Sequence, residues 1–319
     1  MHRGLLTYLL RRLLLAALLV FVVSSAALML VEAAPGDSVG GVDVDPAVAA
    51  AERHRLGLDR PFLVRYREWL GRAVRLDLGQ SVKYGRPVNQ LVAERAGKTA
   101  LLGATALLLA TLLGVPLGII TGSRRNMATS LARALSLIFV SIPPLVTSFL
   151  LLLLAARTGW FPVGGFPAMA GVSDSTSVWT TIRYLTLPSI ALALPIAATL
   201  EQLQSRAMRD ALAEPSVRAA LARGCSVRRV VWRHALRLSL QPVLAIYGVI
   251  VGSVLSGSFA VEIVTSWPGL GALMYEGLVA RDLYLVAGCA AAGSIFLAAG
   301  ILLSDVALAL ADPRVGELA

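Results

Sequence analysis

QSRAMRDALAEPSVRAALARGCSVRRVVWRHALRLSLQP, residues Gln204–Pro242, carries eight arginines against Asp210 and Glu214 and lies between two long apolar stretches. A basic, structured connection in that place is where a membrane protein meets the cytoplasm. After Glu214 and Pro215, the run Val217 to Ala222 predicts a short helical turn, and Gly224 suits the position just past a helix end, where φ is positive. A second helix is expected from Val227 to Leu238. Its apolar arc is Val227, Val230, Val231, Ala235 and Leu238, while Arg229, Arg233 and Arg237 recur every four residues on the other side.

The surrounding chain is an all-α membrane protein. Of 319 residues, 57% are hydrophobic and 15% charged, where soluble domains carry about 25% charged residues. Six runs are long enough to cross a hydrocarbon core of roughly 30 Å: Leu13 to Val31, Thr99 to Ile120, Leu131 to Ala155, Leu185 to Leu203, Val243 to Val261 and Leu283 to Leu310. The first, although preceded by Arg11 and Arg12, exceeds the ~7–15 residues of a signal core and reads as an uncleaved helix. The two cysteines, Cys225 and Cys289, imply no disulfide framework.

Positive charge is retained on the cytoplasmic side. Arg124, Arg125 and Arg133 follow the second span and the eight arginines of 204–242 follow the fourth, so both connections are expected inside, with both termini. Residues 1–31 then form the N-terminus and first span, 32–98 an external element, 99–311 a five-helix core, and 312–319 a cytoplasmic tail. The external stretch holds eleven Lys and Arg against nine acids, but long translocated segments escape the charge rule. It is expected to fold: Asp45-Pro46 opens one helix that Gly57 ends. Pro61 opens another, with Phe62, Tyr66, Trp69, Leu70 and Ala73 on one face. Packing on its own rim and docking a partner are both open to it.

Pro116, Pro143, Pro144, Pro188 and Pro195 bend spans, and Gly114 with Gly118 permits close helix contact. The spans hold only two acids, Glu201 and Asp305, both near the predicted cytoplasmic ends. That disfavours an ion-coupled carrier, which keeps ionisable groups in mid-membrane. His2, His54 and His234 lack metal-ligand spacing. Gly97-Lys98-Thr99 is similar to the end of a phosphate-binding loop, but Val92 stands where its first glycine belongs. Metal, catalytic and cofactor sites are therefore not expected in this chain, nor is nucleic acid as a partner. On composition alone the basic connection has a second reading, lying on anionic lipid with each Arg contributing about 1 kcal/mol.

Spacing shifts the balance. Arg218-Ala219-Ala220, three residues, Gly224, and Pro242 eighteen residues later resemble the coupling-loop signature of ATP-binding-cassette (ABC) importer permeases, written Glu-Ala-Ala, three residues, Gly. His234 and Arg237, ten and thirteen residues past the glycine, look like the peptide and nickel branch. The resemblance covers nearly the whole chain: Arg11-Arg12, Pro35-Gly36-Asp37, Leu56-Gly57-Leu58-Asp59, Asp77-Leu78-Gly79-Gln80-Ser81, Arg86-Pro87-Val88, Ser141-Ile142-Pro143, Glu262, Trp267-Pro268-Gly269-Leu270-Gly271, Arg281-Asp282 and Asp312-Pro313-Arg314. Departures are Arg218 at the motif's first position, Leu238 for an Asn, Ser38 for a Pro, Thr265 for an aromatic and Ala280 for an Asn.

The resemblance implies a MetI-like, type I permease core of six spans in the bacterial inner membrane, half of a pore completed by a sister permease. Two cytoplasmic ATPases would bind the ATP and Mg, and an external substrate-binding protein would deliver dipeptides, oligopeptides, nickel chelates or sugars. It implies an ATPase-coupling surface at Ala219, Ala220, Leu221, Gly224, Val227, Val230, Val231, His234 and Arg237. Glu262, Trp267, Pro268, Gly269, Gly271, Arg281 and Asp282 would form the outer mouth, as a re-entrant gate or a rigid plug. A carrier or channel working without ATPases, and a membrane-anchored scaffold, are the alternatives.

Overall fold

The computed structural model describes residues 2–33, 59–166 and 178–311, together with positions 47, 50, 51 and 54. The expected helix between Asp45 and Gly57, the motif at Pro35-Gly36-Asp37 and Ser38, and the terminal Asp312-Pro313-Arg314 lie outside these residues. The helices are α1 (His2–Ala33), α2 (Phe62–Ala73), α3 (Val88–Ser123), α4 (Met127–Ser141), α5 (Pro144–Thr158), α6 (Val178–Ala213), α7 (Pro215–Ala222), α8 (Val227–Arg229), a π-helical turn (Val230–Ala235), α9 (Leu236–Ala245), α10 (Tyr247–Val264), α11 (Leu270–Val279) and α12 (Leu283–Ala311). Among the described residues the only extended pairing is one isolated bridge, Gln80 to Pro87.

Among the described residues five helices are long and apolar enough to cross a membrane: Leu10–Ala33, Val88–Ser123, Val178–Ala213, Tyr247–Val264 and Leu283–Val306. α4 and α5, which meet at 104°, make a sixth when the bent pair is counted as one span. The expected span from Leu131 to Ala155 is thus broken. Two consecutive prolines remove two backbone donors, and each pushes the residue before it out of the helical region. Ile142 (φ −93°, ψ 117°) and Pro143 (φ −60°, ψ 147°) are accordingly extended, with Pro144 opening α5.

The chain divides into two compact units, Met1–Arg12 with Ala100–Trp267 and Phe296–Ala319, and Leu13–Thr99 with Pro268–Ile295. In the first, α6 is the central post. Leu192 and Leu200 of α6 share a core with Leu102, Ala106 and Ala110 of α3 and Val243, Ile250 and Val254 of α9 and α10. Gly114, Gly118 and Gly122 of α3 form the seam. A methyl at Gly118 would meet Gln204 Cβ at 2.6 Å and the Glu201 carbonyl at 2.7 Å, and one at Gly122 would meet Met208 Cβ at 2.7 Å. Hydrogen at these positions lets the two backbones touch, which supplies the dispersion contact that holds helices together in lipid.

In the second unit, the helix expected after Pro61 is α2, and its Phe62, Tyr66, Trp69, Leu70 and Ala73 pack on Leu28, Ala287 and Tyr284. Trp69 is 2% exposed and its indole N–H donates to the Leu78 carbonyl at 3.3 Å. Tyr66 donates to Ser25 Oγ at 2.8 Å, and Arg65 pairs with Glu32 at 2.5 Å.

Candidate coupling loop and outer mouth

The loop 204–242 begins inside the bundle. Glu201, fully buried in α6, accepts a hydrogen bond from the Thr121 hydroxyl of α3. One turn on, Gln204 Nε2 donates to Ser239 Oγ of α9 at 2.9 Å, and that hydroxyl donates to the Leu236 carbonyl at 3.1 Å. These bonds tie α3, α6 and the end of the loop into one buried polar joint. Thr121, Gln204 and Ser239 are absent from the residues singled out by sequence. Their signal was the i, i+3 spacing of Glu201 and Gln204, which sets two buried polar side chains on one helix face.

Beyond the joint, Pro215 opens α7, and Gly224 adopts φ +86°, the left-handed geometry expected past a helix end. Cys225 N–H returns to the Ala220 carbonyl at 3.2 Å, closing that end. Val217 and Ala220 are buried, together with Val230, Val231 and Ala235, against Ile119, Met208 and Ala211. The expected docking set is therefore divided. Ala219, Leu221, Gly224, Val227 and Arg237 are exposed, His234 is half-buried, and Ala220, Val230 and Val231 face the protein's own core.

The second helix also differs in phase from its expected heptad-like arc. Val227 is 69% and Leu238 37% exposed, whereas Ser239 is buried. A π turn from Val230 to Ala235 inserts an i→i+5 step, so the buried stripe runs Val230, Val231, Ala235, Ser239. Pro242, inside α9, removes the donor that the Leu238 carbonyl would otherwise receive.

The expected outer-mouth residues fall in both units. In the first, Glu262 and Trp267 are fully buried; Trp267 N–H donates to the Glu262 carbonyl at 2.9 Å and its ring meets Phe166 edge-on at 5.4 Å. In the second, Pro268, Gly269 and Gly271 are buried at the start of α11, a helix of ten residues that is too short to span. The Leu270 N–H there donates to Thr99 Oγ1 at 2.7 Å. Arg281, half-buried, takes φ +55° in the turn between α11 and α12. Asp282 is fully buried and caps α12, accepting from Leu285 N–H at 3.2 Å.

Asp282 does more than cap. Its other oxygen accepts from Ser81 Oγ at 2.6 Å and from the Lys83 N–H at 3.1 Å. Residues 80–87 form a tight hairpin, and Lys83 Nζ (3.1 Å) and the Tyr84 hydroxyl both bind Glu276 of α11. Burial, then the Glu276 hydrogen bond and charge, push the Tyr84 phenol up to about 12. Burial acts upward on Glu276 as well, but the bonds from Tyr84 and Lys83 outweigh it and hold the carboxyl below its usual range. Lys83, Tyr84 and Glu276 were not among the expected site residues. Their trace in the sequence was position: Lys83 and Tyr84 sit between the Asp77–Ser81 and Arg86–Val88 motifs.

Several apolar helices long enough to span, a close glycine seam and a basic loop with its turn at Gly224 describe a polytopic membrane protein. Comparison with known families agrees. Residues 114–317 match the binding-protein-dependent transport system inner membrane component, and residues 5–100 match the N-terminal part of such membrane components. The chain belongs to this family of inner-membrane permeases of ABC importers. Relatives include the oligopeptide transport system permease AppB of Bacillus subtilis, 30% identical over 97% of this chain and 98% of the relative. A putative peptide permease of Brucella ovis is 32% identical over 98% and 99%. The oligopeptide transport system permease OppB of Mycobacterium bovis is 35% identical over 84% and 85%.

Proposed function

We propose that this chain forms half of the translocation pore of an ATP-driven importer of di- and oligopeptides, with a sister permease, two cytoplasmic ATPases and an external substrate-binding protein. The peptide class rests on the relatives above, whose names are oligopeptide or peptide permeases across nearly the full length of this chain. Catalysis of ATP hydrolysis, with ATP and Mg, resides in the partner ATPases. Both termini and the loop 204–242 lie in the cytoplasm.

One observation carries the coupling role: α7 is seated by Val217 and Ala220 while Ala219 and Leu221 point outward. A short helix whose outer face carries Ala219 and Ala222 beside Leu221 and Arg218 fits a cleft on an ATPase. Force on it passes through the buried Val230, Val231 and Ala235 contacts to α6, and through Gln204 and Ser239 to the helices of the bundle. Ala220, Val230 and Val231 then transmit rather than touch the ATPase.

The test reconstitutes the four-part transporter in liposomes and follows binding-protein-stimulated ATP turnover with peptide uptake. Ala219→Glu combined with Leu221→Glu should abolish the stimulated turnover. Unchanged turnover would overturn the coupling role of α7, and uptake by the two permeases without ATPases would favour a carrier instead.

A further inference from the structure

We infer that the outward face of the π-helical turn is a binding site for the phosphate of an anionic lipid headgroup at the inner membrane surface. This goes beyond the importer function and rests on it only for the cytoplasmic orientation of the loop.

Ser226, Arg228, Arg229, Trp232 and Arg233 line an open cleft of about 450 Å³. All five are exposed, and among the described residues no carboxylate pairs with the three guanidinium groups. The Ser226 hydroxyl makes no capping bond to the helix it precedes, so it too is available to an outside acceptor. Guanidinium forks match phosphate oxygens in pairs. A cleft lined by three arginines, a serine and a tryptophan, and by no acid, suits a phosphodiester.

Depth identifies the source of that phosphate. Val230 and Val231, adjoining the cleft, share a core with Met208 of α6, which lies against Gly122 in the last turn of α3, and Arg124 and Arg125 follow directly after that helix. The π turn therefore lies level with the end of a span, in the headgroup zone. Trp232, 54% exposed in the middle of the basic cluster, is the residue type that settles at that interface. A lipid offers the exposed indole both a phosphate and an acyl boundary. The opposite face is fixed in the core through Val230, Val231 and Ala235, so lipid bound here would anchor the end of the loop while α7 remains free to dock.

The full-length chain is placed in nanodiscs of equimolar phosphatidylcholine and phosphatidylglycerol, with bromine on the acyl chains of one lipid at a time. Subtracting the signal of Trp232→Phe isolates the Trp232 fluorescence. Brominated phosphatidylglycerol should quench it more than brominated phosphatidylcholine, and Arg228→Gln/Arg229→Gln/Arg233→Gln should erase the difference. At about fivefold per arginine near an anionic surface, the triple variant loses on the order of a hundredfold in preference. Equal quenching of the unaltered protein by both lipids overturns the proposal. So does displacement by free inorganic phosphate, or a triple variant that keeps its lipid preference while losing the ATPases in co-purification. No peptide, binding protein or ATP enters the assay, so its outcome is separate from that of the importer assignment.

Discussion

The loop 204–242 and the hairpin 80–87 with α11 are both rich in charge, yet they dispose of it in opposite ways. At the hairpin, charged groups find partners within the chain: Asp282, buried, with Ser81 and the Lys83 N–H, and nearer the surface Glu276 with Lys83 and Tyr84, and Arg86 with Glu94. In the loop, the apolar side of the chain is buried and Arg228, Arg229 and Arg233 are left facing outward. Charges satisfied internally set geometry; charges left uncompensated are available to something outside the chain. The contrast separates a structural polar network from a binding surface, a distinction that counting arginines cannot make.

The largest expected effect comes from reversing that logic inside the loop. Val230→Asp places an unpaired carboxylate where the native side chain is 1% exposed, at a penalty of several kcal/mol. Thermal unfolding in detergent should show the loss, and a variant as stable as the parent would mean that the loop's apolar side is not truly sequestered. Next comes Asp282→Ala, which strands Ser81 Oγ and the N–H groups of Lys83 and Leu285. About 3 kcal/mol is expected from losing bonds to a buried charge; the same unfolding measurement would break the comparison with a loss below about 0.5 kcal/mol.

A smaller effect is pH-dependent. Glu276 has its folded pKa below the unfolded value, so its contribution is present above the ordinary carboxylate range and fades as pH falls through the lowered folded value. Tyr84 is shifted upward, so its contribution is intact below the unfolded value of 10.0 and is lost as pH rises toward about 12. Protection of the α11 amides, measured against their intrinsic exchange rates at each pH, should fall at both extremes, and Glu276→Gln should remove the acid limb. Smallest of all, Arg229→Gln should alter unfolding stability by no more than about 0.5 kcal/mol, as expected for an exposed residue without internal partners. A larger loss in the isolated chain would place that guanidinium in a structural network after all.

Much of this arrangement was legible beforehand where the cause is local. Hydrophobic runs reported the spans, and the 3.6-residue pattern after Pro61 reported the buried face of α2 down to Trp69. The turn at Gly224 followed from its place after a short helix. Long-range pairing was not legible: Ser81 and Asp282 are 201 positions apart, and nothing in either neighbourhood names the other. The phase of the second loop helix was lost for a different reason. A single π turn exchanges Leu238 for Ser239 on the buried side, and that choice depends on Gln204 offering Ser239 a partner. The break at Ile142 had a visible cause in Pro143-Pro144, but its 104° angle goes with the packing of α4 and α5 each on α6.

By itself, the sequence determined that the chain crosses a membrane several times, where its basic loop lies, and which family it resembles, because hydropathy and motif spacing are properties of neighbours along the chain. Only the tertiary structure decided which half of the loop is buried, which arginines stand free, and which carboxylates are consumed in holding α11. Those outcomes depend on the helices brought against each side chain. A charge of the same kind is a strut where a partner reaches it and a binding group where none does.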